Sequence, residues 1–199
     1  MQSRPCQPVD PAEEPVAASA LLDGFPRLPG GLRSVKTRAL LAYWRALPAG
    51  PSGIPHRRAV DPIGIGSRLL PHIFLCEYRP DGILIRLQGS YLSEQAGQTM
   101  TGLVIDGTTF GSNAAAILRL YGWVRETGRP LATHENVLTT RHDIIPCEVM
   151  HLPLLRDCPT GGVEVGYVLG ALDRLDWGPL PHHDLQAKEW DTIQVVDGV

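Results

Sequence analysis

The sequence predicts an α+β fold, a five-stranded antiparallel sheet with helices covering one face. Three features predict it: a tight hairpin near the middle of the chain, a long amphipathic helix after it, and three apolar strand segments joined by short connections. The 199 residues, 43% of them hydrophobic, can bury one good core, so we expect a single domain with tails.

The domain is expected to span residues 34–176. Residues 1–31 before it are dense in proline and in small or acidic residues, a composition that predicts a mobile tail. Within that tail, Leu22 and Phe25 are suited to local docking. Residues 177–199 form a C-terminal tail without a clean helical period, which docks on this domain or on a partner.

A leading amphipathic helix begins at Ser34, which can cap its first turn, and ends before Pro48. Its apolar face is broader than a helix lying on one sheet needs. We therefore expect a homodimer in which this face pairs with its own copy, or else a face that completes the core of the single chain. The interface candidates are Leu40, Tyr43, Trp44 and Leu47.

The remaining elements follow from turn and cap residues. Asp61 before Pro62 starts a short helix, Gly97 ends another that begins at Ser90, and Gly128 ends the longer one. Period-two patterns and turns mark the strands. They are predicted over Ile73–Arg79, Ile83–Gln88, Leu131–Thr140, Ile145–Leu155 and Val163–Leu172.

In this order, the elements and several local motifs resemble the PAS domain family, specifically its bacterial subfamily of small single-domain proteins. The match runs from about Leu40 to Leu172. The motifs are Leu41-Ala42-Tyr43-Trp44, Arg58-Ala59-Val60-Asp61-Pro62, Leu69-Leu70-Pro71-His72-Ile73-Phe74-Leu75 and Ile85-Arg86-Leu87-Gln88-Gly89-Ser90, followed by Thr101-Gly102. The resemblance implies a sensor that binds a small ligand or a signalling partner and reports by changed association.

The resemblance leaves the cofactor unknown. Relatives that bind flavin covalently carry Asn-Cys-Arg on a helix after the first hairpin, and the corresponding segment Ser90–Gly97 has no cysteine. Haem-binding relatives use a histidine on a helix that faces the pocket. Here every histidine between Asp81 and Leu155 falls on a predicted strand or turn.

Composition excludes several partners. The net charge is −3 and there is no basic stripe, so we expect no nucleic acid. No apolar run approaches the ~20 residues of a membrane-spanning helix, so we expect no membrane. Four cysteines without CxxC spacing indicate the cytoplasm. Because few residues follow Leu172, a separate signalling protein is expected to receive the output.

The pocket candidates are Arg86, Tyr91, Trp123, His134 and Met150. Arg86 interrupts an apolar strand, so it either points inward to an anionic partner or lies on the surface beside Gln88. The two aromatic residues and Met150 are suited to line a pocket, and such residues also fill ordinary cores.

Metal binding and catalysis are weaker hypotheses. His134, His142, Cys147 and His151 are the one cluster with ligand chemistry, but their spacing fits no zinc pattern, so no metal is predicted. The alternative function is a small enzyme with His134 or His151 as general base. A third is a structural adaptor with a filled core. No catalytic residue is assigned, because no serine or cysteine has an activating context.

Overall fold

A single eight-stranded sheet organises the chain in the computed structural model, which describes residues 16–50, 52–109, 113–139, 143–176, 193–196 and 199. The strands are β1 Arg27–Leu28, β2 Ile73–Arg79, β3 Gly82–Gln88, β4 Val104–Ile105, β5 Leu131–Leu138, β6 Ile144–Asp157, β7 Val163–Arg174 and β8 Ile193–Val196. Their order across the sheet is β1-β8-β5-β6-β7-β2-β3-β4.

The predicted sheet forms the centre of this one. Strands β5, β6, β7, β2 and β3 are neighbours in that order, and every pair among them is antiparallel. The five-stranded antiparallel prediction is confirmed, but the full count is eight. The three additional strands have two to four residues each, which is too short to show a period in the sequence.

The helices begin and end near the predicted residues. They are α1 Val16–Ser19, α2 Val35–Ala46, α3 Pro62–Ile65, α4 Ser90–Ala96 and α5 Ala114–Thr127, with 3-10 turns at Ala20–Leu22, Arg57–Ala59 and Leu70–His72. The Ser34 side chain caps α2 by accepting from the backbone N–H groups of Lys36 and Thr37. Gly97 and Gly128 end α4 and α5 with φ of 67° and 64°, in the left-handed region that favours glycine.

Helices α2 and α5 cover opposite faces of the sheet. Thr37 of α2 contacts Glu148 on β6, and Tyr121 of α5 contacts His151 three residues further along that strand. Because side chains alternate along a strand, three residues apart means opposite faces. We call these the α2 face and the α5 face. The prediction of helices on one face is therefore corrected, and β6 is buried on both sides from Ile145 to Leu155.

The dimer candidates are largely part of this chain's own core. Leu40 and Trp44 are buried, and the Trp44 indole Nε1 donates to the carbonyl of Pro153 at 2.8 Å. Tyr43 is half-buried and its hydroxyl bonds to the backbone of Asp61. Leu47 is also half-buried. The broad apolar face of α2 is thus explained by packing on β6 and β7.

Part of the predicted N-terminal tail packs on the domain. Ala18, Leu22 and Phe25 are buried, the first turns contact α5, and β1 pairs with β8 in parallel. The expectation of mobility is thus corrected for residues 16–28, because apolar side chains at three positions find partners. Residues 1–15 lie outside the described residues, and the division into tails and domain stays a prediction.

Candidate functional site

The α5 face carries a buried histidine among aromatic rings. His151 on β6 is 5% exposed. Its ring centroid lies 5.3 Å from that of Tyr121 and 5.7 Å from that of Phe74 on β2. Among the described residues, neither ring nitrogen has a hydrogen-bond partner. Burial lowers the pKa of His151 to about 4, so the imidazole is neutral at pH 7.

The groups around His151 are held by hydrogen bonds between α5 and β2. The Cys76 Sγ lies 3.4 Å from the Tyr121 hydroxyl, and the Tyr78 hydroxyl donates to the Tyr121 carbonyl at 2.6 Å. Burial raises the pKa of Cys76 to about 12, so its thiol is protonated and inert. This arrangement fixes the Tyr121 ring against the sheet.

A glycine makes room for this aromatic group. Gly170 on β7 lies directly opposite both His151 and Phe74 in the sheet. A Cβ atom at Gly170 would overlap the ring of Phe74. The missing side chain therefore allows the Phe74 ring to lie over β7, where it reaches His151.

The α2 face carries a fully buried carboxylate with the opposite environment. Glu148 accepts hydrogen bonds from the backbone N–H groups of Arg33 and Ser34 at 2.8 and 2.9 Å, and from the Thr37 hydroxyl. His134 Nε2, on β5, lies 2.9 Å from its other oxygen contact at Oε2. Burial acts to raise the pKa of Glu148, but these hydrogen bonds outweigh it and hold that pKa below its usual value.

The same cluster continues to β7 through Ser34. The Ser34 hydroxyl donates to Asp173 at 2.7 Å, and Lys36 Nζ pairs with the other oxygen of Asp173 at 2.6 Å. The N-terminus of α2 is thus fastened to three neighbouring strands by two carboxylates. An ionised carboxylate accepts only, so His134 donates through Nε2. The arrangement is suited to holding a helix in place.

The predicted pocket residues do not converge on one site. Arg86 is 54% exposed and its Nε lies 3.7 Å from Glu77 Oε2, so it takes the surface alternative. His134 and Met150 are fully buried on the α2 face. Trp123 is buried on α5, and Tyr91 on α4 stacks against His72 at 4.2 Å.

The histidine and cysteine cluster is also divided. Cys147 and His151 share the α5 face as predicted, but His134 lies opposite Glu148 and therefore on the α2 face. His142 lies outside the described residues. Within the described part of the chain, no group of three or more histidine, cysteine or acidic side chains is placed to hold a metal ion.

The sequence analysis missed Glu148, Phe74 and Cys76. For Glu148 the signal was present, because a carboxylate in a long apolar strand must find partners when both faces are buried. The other two are ordinary core types, and only the register of β2 against β7 places them near His151.

Comparison with known proteins identifies the family. The PAS domain profile matches residues 32–169, well over half of the chain. The chain belongs to the PAS domain family, as the motifs predicted. That family consists of sensory domains. No curated protein sequence matches the chain.

Two solved structures share part of the fold. One, titled "VqmA bound to DPO", has 13% identity, a TM-score of 0.42, and a match that covers 55% of each chain. The other is titled "Huge conformation shift of Vibrio cholerae VqmA dimer in the absence of target DNA provides insight into DNA-binding mechanisms of LuxR-type receptors". It has 13% identity, a TM-score of 0.42, and covers 53% of this chain and 47% of that one. The match therefore spans about half the length of each protein.

The partner prediction is corrected by these matches. It excluded nucleic acid from the net charge, and it expected a homodimer and a separate signalling protein. The second structure is described as a dimer that binds DNA, so the charge of a sensory domain does not decide what a protein with this fold binds. That prediction is wrong and its partners are not carried further. In the described part of the chain, no helix is long and apolar enough to cross a membrane.

Proposed function

We propose that this PAS domain binds a small molecule on the α5 face, with His151 as its polar contact. The observation that carries the proposal is the buried imidazole whose two nitrogens have no partner among the described residues. A buried polar group without a hydrogen bond costs about 1–3 kcal/mol, and each such group in a native fold calls for an explanation. A ligand that bonds to His151 supplies one.

The surroundings of His151 suggest how binding is reported. Tyr121 of α5 lies against His151, and α5 packs on β6 and β7. A molecule that reaches the imidazole must displace the Tyr121 ring or the Phe74 ring. Because a ligand shifts an equilibrium only as far as it prefers one state, occupancy would favour a conformation with α5 moved from the sheet.

Native mass spectrometry of the purified chain tests the proposal. We expect a small molecule retained by the wild type, or found by screening metabolites for a rise in Tm, and lost in His151→Leu. The control is Met150→Leu, because Met150 is buried next to His151 on β6 but faces α2. Equal retention by His151→Leu, or a screen in which no compound distinguishes it from the wild type, would favour the filled-core adaptor.

The enzyme alternative gains no support from the two histidines. His134 is fully buried and its Nε2 holds Glu148, so it has no access to a substrate. His151 has no hydroxyl or thiol bonded to it among the described residues, so there is no nucleophile for it to activate. Partner reporting and the cytoplasmic location stay predictions.

A further inference from the structure

We propose that the molecule recognised at His151 is uncharged, and that it both donates and accepts a hydrogen bond. This inference rests on the proposed function and adds the chemical class of the ligand. It follows from the distribution of charge and aromatic rings on the α5 face.

The protonation state of His151 is the first step. Among the described ion pairs, none includes His151, and its measured ring neighbours are aromatic. Without a carboxylate to hold a second proton, a buried imidazole stays neutral. A neutral imidazole presents one N–H donor and one bare nitrogen acceptor. A complementary ligand therefore offers one acceptor and one donor.

The charged groups of the α5 face lie away from His151. Glu135 on β5 and Arg174 on β7 are both directly opposite Cys147. Cys147 is four residues from His151 along β6, roughly 13 Å at 3.3 Å per residue. Burial raises the pKa of Glu135, opposed by the Thr133 hydroxyl that bonds to it, which disfavours its charged form. These groups mark one end of the face.

Arg125 on α5 lies at the other side of the aromatic group. Its guanidinium carbon is 5.1 Å from the centre of the Tyr78 ring, and its Nη2 lies 3.6 Å from Glu164. It is therefore already paired. An anionic or cationic ligand at His151 would bury its charge without a counter-ion from the described residues, which is strongly unfavourable. The Phe74 and Tyr121 rings instead favour an apolar or aromatic body.

Three probes of nearly the same size and shape test the class: benzamide, benzoate and benzamidine. At pH 7 they are neutral, anionic and cationic, and the neutral amide both donates and accepts. We expect calorimetric titration of the full chain to give at least about tenfold tighter binding for benzamide, the size of one net hydrogen bond. His151→Leu should remove that preference, and Met150→Leu should keep it. His151→Gln, which keeps a donor and an acceptor, should retain part of it.

Each result bears on one of the two proposals. If benzoate or benzamidine binds as tightly as benzamide, and His151→Leu abolishes binding, the site stands and the uncharged class is wrong. If benzamide binds His151→Leu as well as the wild type, or no probe binds up to millimolar concentration, the site itself is wrong. If His151→Leu fails to fold, the comparison of the three probes on wild type and on His151→Gln decides the class.

Discussion

Strand β6 carries two buried polar side chains, three residues apart, with opposite surroundings. Glu148 faces α2 and accepts hydrogen bonds from Arg33, Ser34, Thr37 and His134. His151 faces α5 and has no described partner for either nitrogen. The same strand thus has a fully paired group on one face and an unpaired one on the other. Burial alone therefore does not tell a structural polar group from a functional one; the pairing does.

The difference assigns separate roles to the two faces. The α2 face is closed by a network that links α2 to β5, β6 and β7, so its role is to fix the leading helix. The α5 face is closed by apolar and aromatic contacts, which lose less when they separate than a broken buried ion pair does. We therefore expect the α5 face to open first.

Replacing Glu148 by alanine gives the largest loss. It leaves His134 and two backbone N–H groups buried without their acceptor, and breaking a buried pair costs about 3–5 kcal/mol. Urea unfolding followed by circular dichroism measures the free energy of unfolding. Glu94→Ala, an exposed carboxylate on α4, is the control and should change it by less than about 0.5 kcal/mol. A loss at Glu148 as small as the control would make the network irrelevant to stability.

Acid sharpens the comparison through His151. Its pKa is 6.5 unfolded and about 4 folded, so below pH 6.5 the unfolded chain binds a proton that the folded chain does not. Stability is present above pH 6.5 and falls towards pH 4, by about 3 kcal/mol at 1.36 kcal/mol for each pH unit between the two values. Unfolding free energies from pH 7 to pH 4 should show this slope, and His151→Leu should flatten it.

Glu148 contributes at lower pH and with the same sign. Its folded pKa is below its usual 4.5, so its stabilisation is complete above pH 4.5 and is lost as the pH falls through the folded value. A slope between pH 6.5 and pH 5 that persists in His151→Leu would mean that another group carries it. His72, whose pKa is lowered mainly by burial, is the group to replace next.

At pH 7 the smallest effect has the opposite sign. His151→Leu removes an unpaired polar group and keeps a similar volume, so it should stabilise the folded state by about 1 kcal/mol. The expected rise in Tm is a few degrees for a domain of this size. A clear loss of stability instead would show that His151 has a partner within the fold, and that the two faces are alike.

Local patterns were enough to predict much of the fold. The five central strands, the cap at Ser34 and the glycines that end α4 and α5 follow from neighbouring residues alone. The short strands β1, β4 and β8 did not, because strands of two to four residues take their pairing from the rest of the sheet. The candidate site depended still more on distant residues.

Two physical facts decide which residues meet at the site. The first is register: His134 faces away from His151 because it lies opposite Glu148 and not Cys147. The second is long-range contact, as between Thr37 and Glu148, or between Cys76 and Tyr121. Neither has a local signature. That is why Arg86 and Met150 were candidates and Phe74 was not.

Pairing between β1 and β8 makes both ends of the chain part of one sheet edge. Leu28 lies opposite Val196, and β8 in turn covers β5. Shortening the chain before Ile193 would leave the N–H and C=O groups along the outer side of β5 without partners. Exposed strand edges are templates for pairing with other chains, so such a fragment is expected to aggregate even with its core complete. The last residues therefore keep the domain soluble by occupying a position that a foreign strand would otherwise take.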